Sequence, residues 1–178
     1  MTSPDPALQE MLDEHQLHKL VHRYCRAVDR GDIAELRRLY HHDAQDSHGG
    51  FSRGTAHEFI DQIAATRPYI LSMQHHVTTT TFAVDGDVAE GEVYTVATHT
   101  FAAGDRDVDV IVGGRYLDRY ERRDGEWKLI ERAIVTDWAQ VNDPSRTDLS
   151  HPVTRDTPTG SMGADDPSFA FFSLLGTR

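Results

Sequence analysis

Gly114-Arg115-Tyr116-Leu117-Asp118-Arg119-Tyr120-Glu121-Arg122-Arg123-Asp124-Gly125-Glu126-Trp127-Lys128-Leu129, continuing to Asp137-Trp138, is the stretch that decides the fold. Two alternating segments flank Asp124-Gly125, and Asp-Gly between such segments is a strong short-range signal for a tight β-hairpin. Working outward, Ser72 to Val84, Val88 to Phe101, Val108 to Arg122 and Trp127 to Trp138 read as four strands, joined at Asp85-Gly86-Asp87, Ala103-Gly104-Asp105 and Asp124-Gly125. Gly113-Gly114 falls inside a strand, where it allows a bend in the sheet. Upstream the period changes. Leu17, Leu20, Val21, Tyr24 and Val28 recur at helical spacing between Pro6 and Asp29, and Gly31 stops that helix. Asp32 reads as the N-cap of a short helix carrying Ile33, Leu36, Leu39 and Tyr40, with Glu35 as its capping-box partner. His48 to Gly54 is a loop or edge segment, and a third helix then presents Phe59, Ile60 and Ile63 on one face and ends before Pro68. Helices first and an antiparallel meander after predict an α+β domain.

The chain of 178 residues fits one domain with a real core. That domain is predicted over residues 1–142. From Asp143 onward Pro, Ser, Thr, Gly and Asp dominate, a composition that buries too little surface to order itself. Residues 143–178 are therefore predicted to be a tail, in which only 169–175 has the apolar content to dock, on the domain or on another subunit. Acidic residues outnumber basic ones 29 to 18 and the arginines are scattered among carboxylates, so no electropositive face for nucleic acid is visible. No apolar run reaches the length of a membrane span, and the polar start lacks the features of a secretory signal, which predicts a soluble, cytoplasmic protein with no membrane partner. The single cysteine, Cys25, excludes an intramolecular disulfide and a multi-thiolate zinc site. Among Val21, Tyr24 and Val28 it reads as a buried bystander.

Few residues offer chemistry. Asp29 ends the first helix, where the macrodipole disfavours an anion by a few tenths to about 1 kcal/mol. It is either water-exposed beside Arg26 or Arg30, or turned inward to orient a histidine. His75 and His76 open a strand, so only one of the two faces inward; His75 shares a face with Thr79 and Thr81, His76 with Thr78, Thr80 and Phe82, and parity alone does not choose. His99 alternates with Val93, Thr95 and Ala97, a face suited to lining a cavity. His15, His18 and His22 lie on related turns of the first helix without a carboxylate to complete a metal shell, and read as a solvated face. His41-His42, with Asp43 and Asp46, reads as a turn. Arg115, Asp118, Arg119 and Arg122 could suggest an Asp-Arg epoxide hydrolase site, but hairpin alternation makes them mostly a solvated face or subunit contact. No metal site and no cofactor are predicted.

Three segments join the hairpin in a pattern: Tyr24-Cys-Arg-Ala-Val-Asp29, Met73-Gln-His75-His-Val-Thr-Thr and Glu92-Val-Tyr94-Thr-Val-Ala-Thr-His99. In this order, and from about the first helix to Trp138, the chain resembles the SnoaL-like, scytalone dehydratase-like branch of the nuclear transport factor 2-like superfamily. The resemblance implies a cone-shaped α+β barrel, with N-terminal helices packed on a strongly curved antiparallel or mixed sheet. It implies that Asp29 and His75 form a catalytic dyad and that Tyr24 and His99 stand in the pocket. A leaving-group tyrosine of the family falls near His48, the tyrosine before the aspartate is Val28, and an asparagine after the histidine strand is Thr79; these departures bear on the substrate more than on the dyad. The implied function is that of a cofactor-independent lyase, a dehydratase of a hydroxylated cyclic polyketide, terpenoid or steroid-like compound. His75 would be the base, Asp29 its orienter, and Tyr24 or His99 the donor to the carbonyl or the departing hydroxide. His48, Phe51, Phe59, Met73, Val93, Val112 and Tyr116 would bind the substrate. The implied partners are a hydrophobic small molecule and further copies of the chain, as a dimer or trimer. An isomerase or cyclase, or a non-catalytic ligand-binding or assembly subunit, are the alternatives on the same fold. The joint presence of Asp29, His75 and Tyr24 argues against the last.

Overall fold

The computed structural model of the protein describes residues 5–104, 106–142, 158–167 and 170. Helix α1 (Pro6–Arg30) begins where the Asp5 carboxylate accepts the Ala7 N–H at 3.0 Å, and ends at Gly31, whose left-handed φ of 63° lets its N–H reach the Ala27 and Val28 carbonyls. Helix α2 (Ile33–Leu39) starts as expected on Asp32, which accepts the Glu35 N–H at 2.9 Å; the Glu35 carboxylate goes to Arg23 and Arg38. The reciprocal capping box is instead at α3 (Ala56–Thr66), between Thr55 and Glu58.

Six strands form one mixed sheet: β1 (Tyr40–Ser47), β2 (Arg53–Thr55), β3 (Ile70–Asp85), β4 (Val88–Ala103), β5 (Arg106–Arg123) and β6 (Glu126–Asn142), in the order β2-β1-β6-β5-β4-β3. β1 runs parallel to β6 and every other pairing is antiparallel. The three helices pack on this open, curved sheet, the cone-shaped α+β architecture expected. The four strands of the meander are found, each a little longer than its apolar alternation suggests.

β1 corrects the reading of Tyr40 as helical and of His41 to Asp46 as a turn. Its sequence, Tyr-His-His-Asp-Ala-Gln-Asp-Ser, has no apolar alternation, and the ladders to β6 and β2 hold it in place. His41 is buried with its ring against the Glu121 carbonyl at 2.9 Å. His18 also leaves the solvated face assigned to it, since its Nε2 lies 2.8 Å from the Thr80 hydroxyl and its ring stands edge-on to Phe82.

The core lies between α1, α3 and the inner face of the sheet, and β-bulges set which residues reach it. On β3, Val77 pairs with Thr95 but Thr80 pairs with Val93, so two residues oppose one. The alternation shifts there: Met73, His75 and Val77 face inward before the bulge, and Thr80, Phe82 and Val84 after it. The simple parity that grouped His75 with Thr79 and Thr81 fails for this reason. Ile130 is the extra residue of a second bulge, which turns Arg132 inward after Trp127 and Leu129.

Residues 158–167 pack at the end of α1. The Gly163 N–H donates to the Arg30 carbonyl at 2.6 Å, and the buried Asp166 pairs with Arg30 at 3.2 Å. This part of the tail is held by an ion pair and backbone bonds, which its apolar-poor composition did not suggest. The docking expected of 169–175 lies, but for residue 170, outside the described residues.

Candidate active site

α1 delivers Asp29 and β3 delivers His75 to one point on the inner wall. The Asp29 Oδ1 lies 2.7 Å from His75 Nδ1, and Oδ2 accepts the His75 backbone N–H at 3.1 Å. One carboxylate thus fixes both the ring and the strand it stands on. Both side chains are largely buried, 13% and 9% exposed, so the pair is shielded from water on most sides. His76, its neighbour, points outward and is exposed.

His99 stands on the inner face of β4 with its ring 5.3 Å from that of His75, edge to face, and stacked on Phe101. Burial first, and then the neighbouring His75, push its imidazole down to about 4, with the Val110 backbone and Asp29 opposing in part. At neutral pH His99 carries no charge. A neutral imidazole presents one N–H donor and one acceptor nitrogen to the pocket.

Tyr24 is fully buried between the rings of Tyr40 and Tyr116, with the Arg132 guanidinium 4.0 Å over its face. Burial holds its hydroxyl far above the ordinary range, so it is a donor and never a base. Burial likewise pushes the Cys25 thiol up to about 12, which suits a bystander.

The expected substrate wall divides. Phe59, Val93 and Tyr116 belong to the packed core, and Met73 is nearly enclosed beside them. Val112, cross-strand from Ala97 and in one row with His75, is only half-buried, so the sheet opens at the end where Asp29, His75 and His99 stand. Phe51 is 42% exposed. It lies in the turn closed by the His48 N–H on the Ser52 carbonyl at 2.8 Å, which sends the ring outward, edge-on to Phe59. His48 stacks on Phe59 with centroids 4.0 Å apart and points Nδ1 at the buried Asp46. Beside the dyad, a cleft between α1 and β3 is lined by Cys25, Arg26, Arg30 and His76 together with Asp29 and His75.

Sequence reasoning missed the polar floor under Tyr24. Arg132, fully buried, donates from Nε and Nη2 to the two oxygens of Asp118 at 2.6 Å each, and Tyr120 adds its hydroxyl to Oδ2 at 2.6 Å. Asp118 therefore leaves the solvated face assigned to it, while Arg115 and Arg119 keep theirs in ion pairs with Glu92 and Asp137, and with Glu90 and Glu131. Arg122 spans both worlds, bonded to Asp87 outside and to the buried Asp13. The alternation Tyr116, Asp118, Tyr120 was a usable signal for Asp118; the bulge at Ile130 hid Arg132. Among the described residues, no group of three or more His, Cys, Asp or Glu is placed to hold a metal ion, and no helix is long and apolar enough to cross a membrane.

Among solved structures the fold has many counterparts. A putative scytalone dehydratase from Novosphingobium aromaticivorans superposes with a TM-score of 0.67 at 18% identity, covering 78% of this chain and 97% of that one. A type 2 hexachlorocyclohexane dehydrochlorinase, LinA, gives 0.69 at 17% identity, covering 80% and 97%. Rv3472, a protein of unknown function from Mycobacterium tuberculosis, gives 0.65 at 26% identity, covering 84% and 86%. No curated protein matches the chain. The family model of the SnoaL-like domain matches residues 9–133, every element from α1 to the middle of β6, and the chain belongs to that family.

Proposed function

We propose that the protein is a cofactor-independent lyase that dehydrates a hydroxylated cyclic ketone of polyketide, terpenoid or steroid type. The observation that carries this reading is the Asp29–His75 pair. His75 commits Nδ1 to the carboxylate, which leaves Nε2 to take a proton from the carbon next to a carbonyl. Asp29 holds the tautomer and stabilises the imidazolium that forms. The chemistry asks for a base that works near neutrality, which an imidazole supplies. Tyr24, kept protonated by burial, is the proposed donor to the carbonyl oxygen on which the enolate charge collects. Two neighbours of the fold bear the names of a dehydratase and a dehydrochlorinase, both eliminations, in keeping with this reading.

The test is a panel of cyclic β-hydroxyketones incubated with the enzyme in the presence of a chelator and followed by mass spectrometry. The expected result is a product lighter by one water, formed at a rate that His75→Ala lowers by roughly 10²–10⁴-fold, the usual worth of a positioned base. A product of unchanged mass would move the protein to the isomerase or cyclase reading. No conversion of any member of the panel would overturn catalysis by this pair.

A further inference from the structure

A second aspartate–histidine pair stands on the inner side of the sheet, and we propose that it supplies the acid of the same elimination, with His48 protonating the departing hydroxyl and Asp46 positioning His48. The proposal rests on the dehydratase reading above. Asp46 is 2% exposed, and its Oδ1 is bonded to His48 Nδ1 while its Oδ2 accepts the Tyr40 hydroxyl at 2.8 Å. The His48 ring is fixed on its flat side as well, stacked on Phe59 with an interplanar angle of 13°. Ring and carboxylate are thus held by three independent contacts, the rigidity expected of a group that must transfer a proton along one line. Its Nε2 has no hydrogen-bond partner among the described residues, and the side chain keeps 20% of its surface open.

The surroundings suit a proton donor. Asp46, Arg132 and Asp118 are neighbours across three adjacent strands, all facing inward and all buried. Arg132 turns Nε and Nη2 onto Asp118, so one guanidinium faces two buried carboxylates and is spent on one of them. Asp46 is left to Tyr40 and His48 as its partners. In the strand order β6, β5 and β4 lie between β1 and β3, and Asp46 and His75 both stand on the inner face of the curved sheet.

The step balances without a further reagent. His75 Nε2 takes the proton from the carbon next to the carbonyl, the C–H electron pair becomes the new C=C bond, and the C–O bond breaks. His48 Nε2–H gives its proton to the leaving oxygen, which departs as water. His75 then loses and His48 regains one proton from solvent.

The probe is a pair of substrates on one ring, a cyclic β-hydroxyketone and its β-(para-nitrophenoxy) ether. Nitrophenoxide is stable as an anion and departs without a proton, so only the hydroxyl compound needs an acid. His48→Gln is expected to lower elimination of water by roughly 10²-fold or more while changing release of nitrophenoxide only a few-fold. Asp46→Asn should shift the same ratio in the same direction by less. Because the ratio is measured within one protein, the fraction of a variant that fails to fold cancels. Equal losses on both substrates, or no loss on either, would overturn the acid role of His48. His75→Ala is expected to depress both substrates alike, so a failure of the base and a failure of the acid give different patterns. Wild-type enzyme inactive on both compounds would overturn the base-catalysed reading and this assignment with it.

Discussion

Asp29 sits where a helix least favours a carboxylate, in the last turn of α1, and it is compensated by two donors from β3 rather than by water. Bonds to a charged group are worth about 1.5–3 kcal/mol each, more than the penalty from the helix dipole. The position that looked unfavourable in the sequence is therefore a tie between helix and sheet. His99 carries a second consequence at this scale. The unfolded chain takes up a proton near the ordinary value of 6.5, the folded protein only near 4. The stability that this difference contributes is complete above 6.5, is lost as pH falls through the window toward 4, and amounts to roughly 3 kcal/mol at most. His99→Phe should flatten the fall in denaturant stability between about pH 7 and about pH 4.5; an unchanged slope would mean that other groups govern acid sensitivity. Asp29 and His75 were legible because their motifs stand in order along the chain. Asp46 was not, since nothing in a polar run marks which carboxylate a parallel neighbour will bury.

At the scale of the elements, periodicity located three helices and four strands, because each carries its own apolar face. β1 has none and is defined by its partner β6, so a reading of local pattern placed it in a helix and a turn. Bulges explain the other misreadings: the extra residue after Val77 in β3 and the one at Ile130 in β6 reverse the inward set, which no count of alternation reveals. The Gly113-Gly114 step was legible as a bend, and the register of β5 against β6 does shift between these two residues. Their requirements differ. A Cβ at Gly114 would lie 2.3 Å from the Val135 carbonyl oxygen, part of the neighbouring backbone, whereas at Gly113 it would meet the Trp138 ring, which is 46% exposed and free to swing away. Gly114→Ala should cost about 1–3 kcal/mol by overpacking, and Gly113→Ala under about 1 kcal/mol. Chemical denaturation of both variants checks this, and a Gly113→Ala variant as damaged as Gly114→Ala would contradict the assigned contacts.

For the whole molecule, the chain order of helices and strands made the α+β class legible, because helices that precede a meander have one sheet face to cover; the cone was legible only through the family resemblance. What composition could not reveal is that part of the core is a polar cluster. Arg132, Asp118, Asp46 and four tyrosines fill it, and their burial depends on every partner being present at once. The Asp29–His75 pair stands where α1 ends against β3. The central claim is that Asp29 and His75 act there as one catalytic unit. A double-mutant cycle on the rate of water elimination tests it most directly. His75→Ala should lose roughly 10²–10⁴-fold, Asp29→Asn a comparable factor through the wrong tautomer, and the double variant should be little worse than the worse single one. Losses that multiply independently, or a His75→Ala enzyme with full activity, would contradict the account.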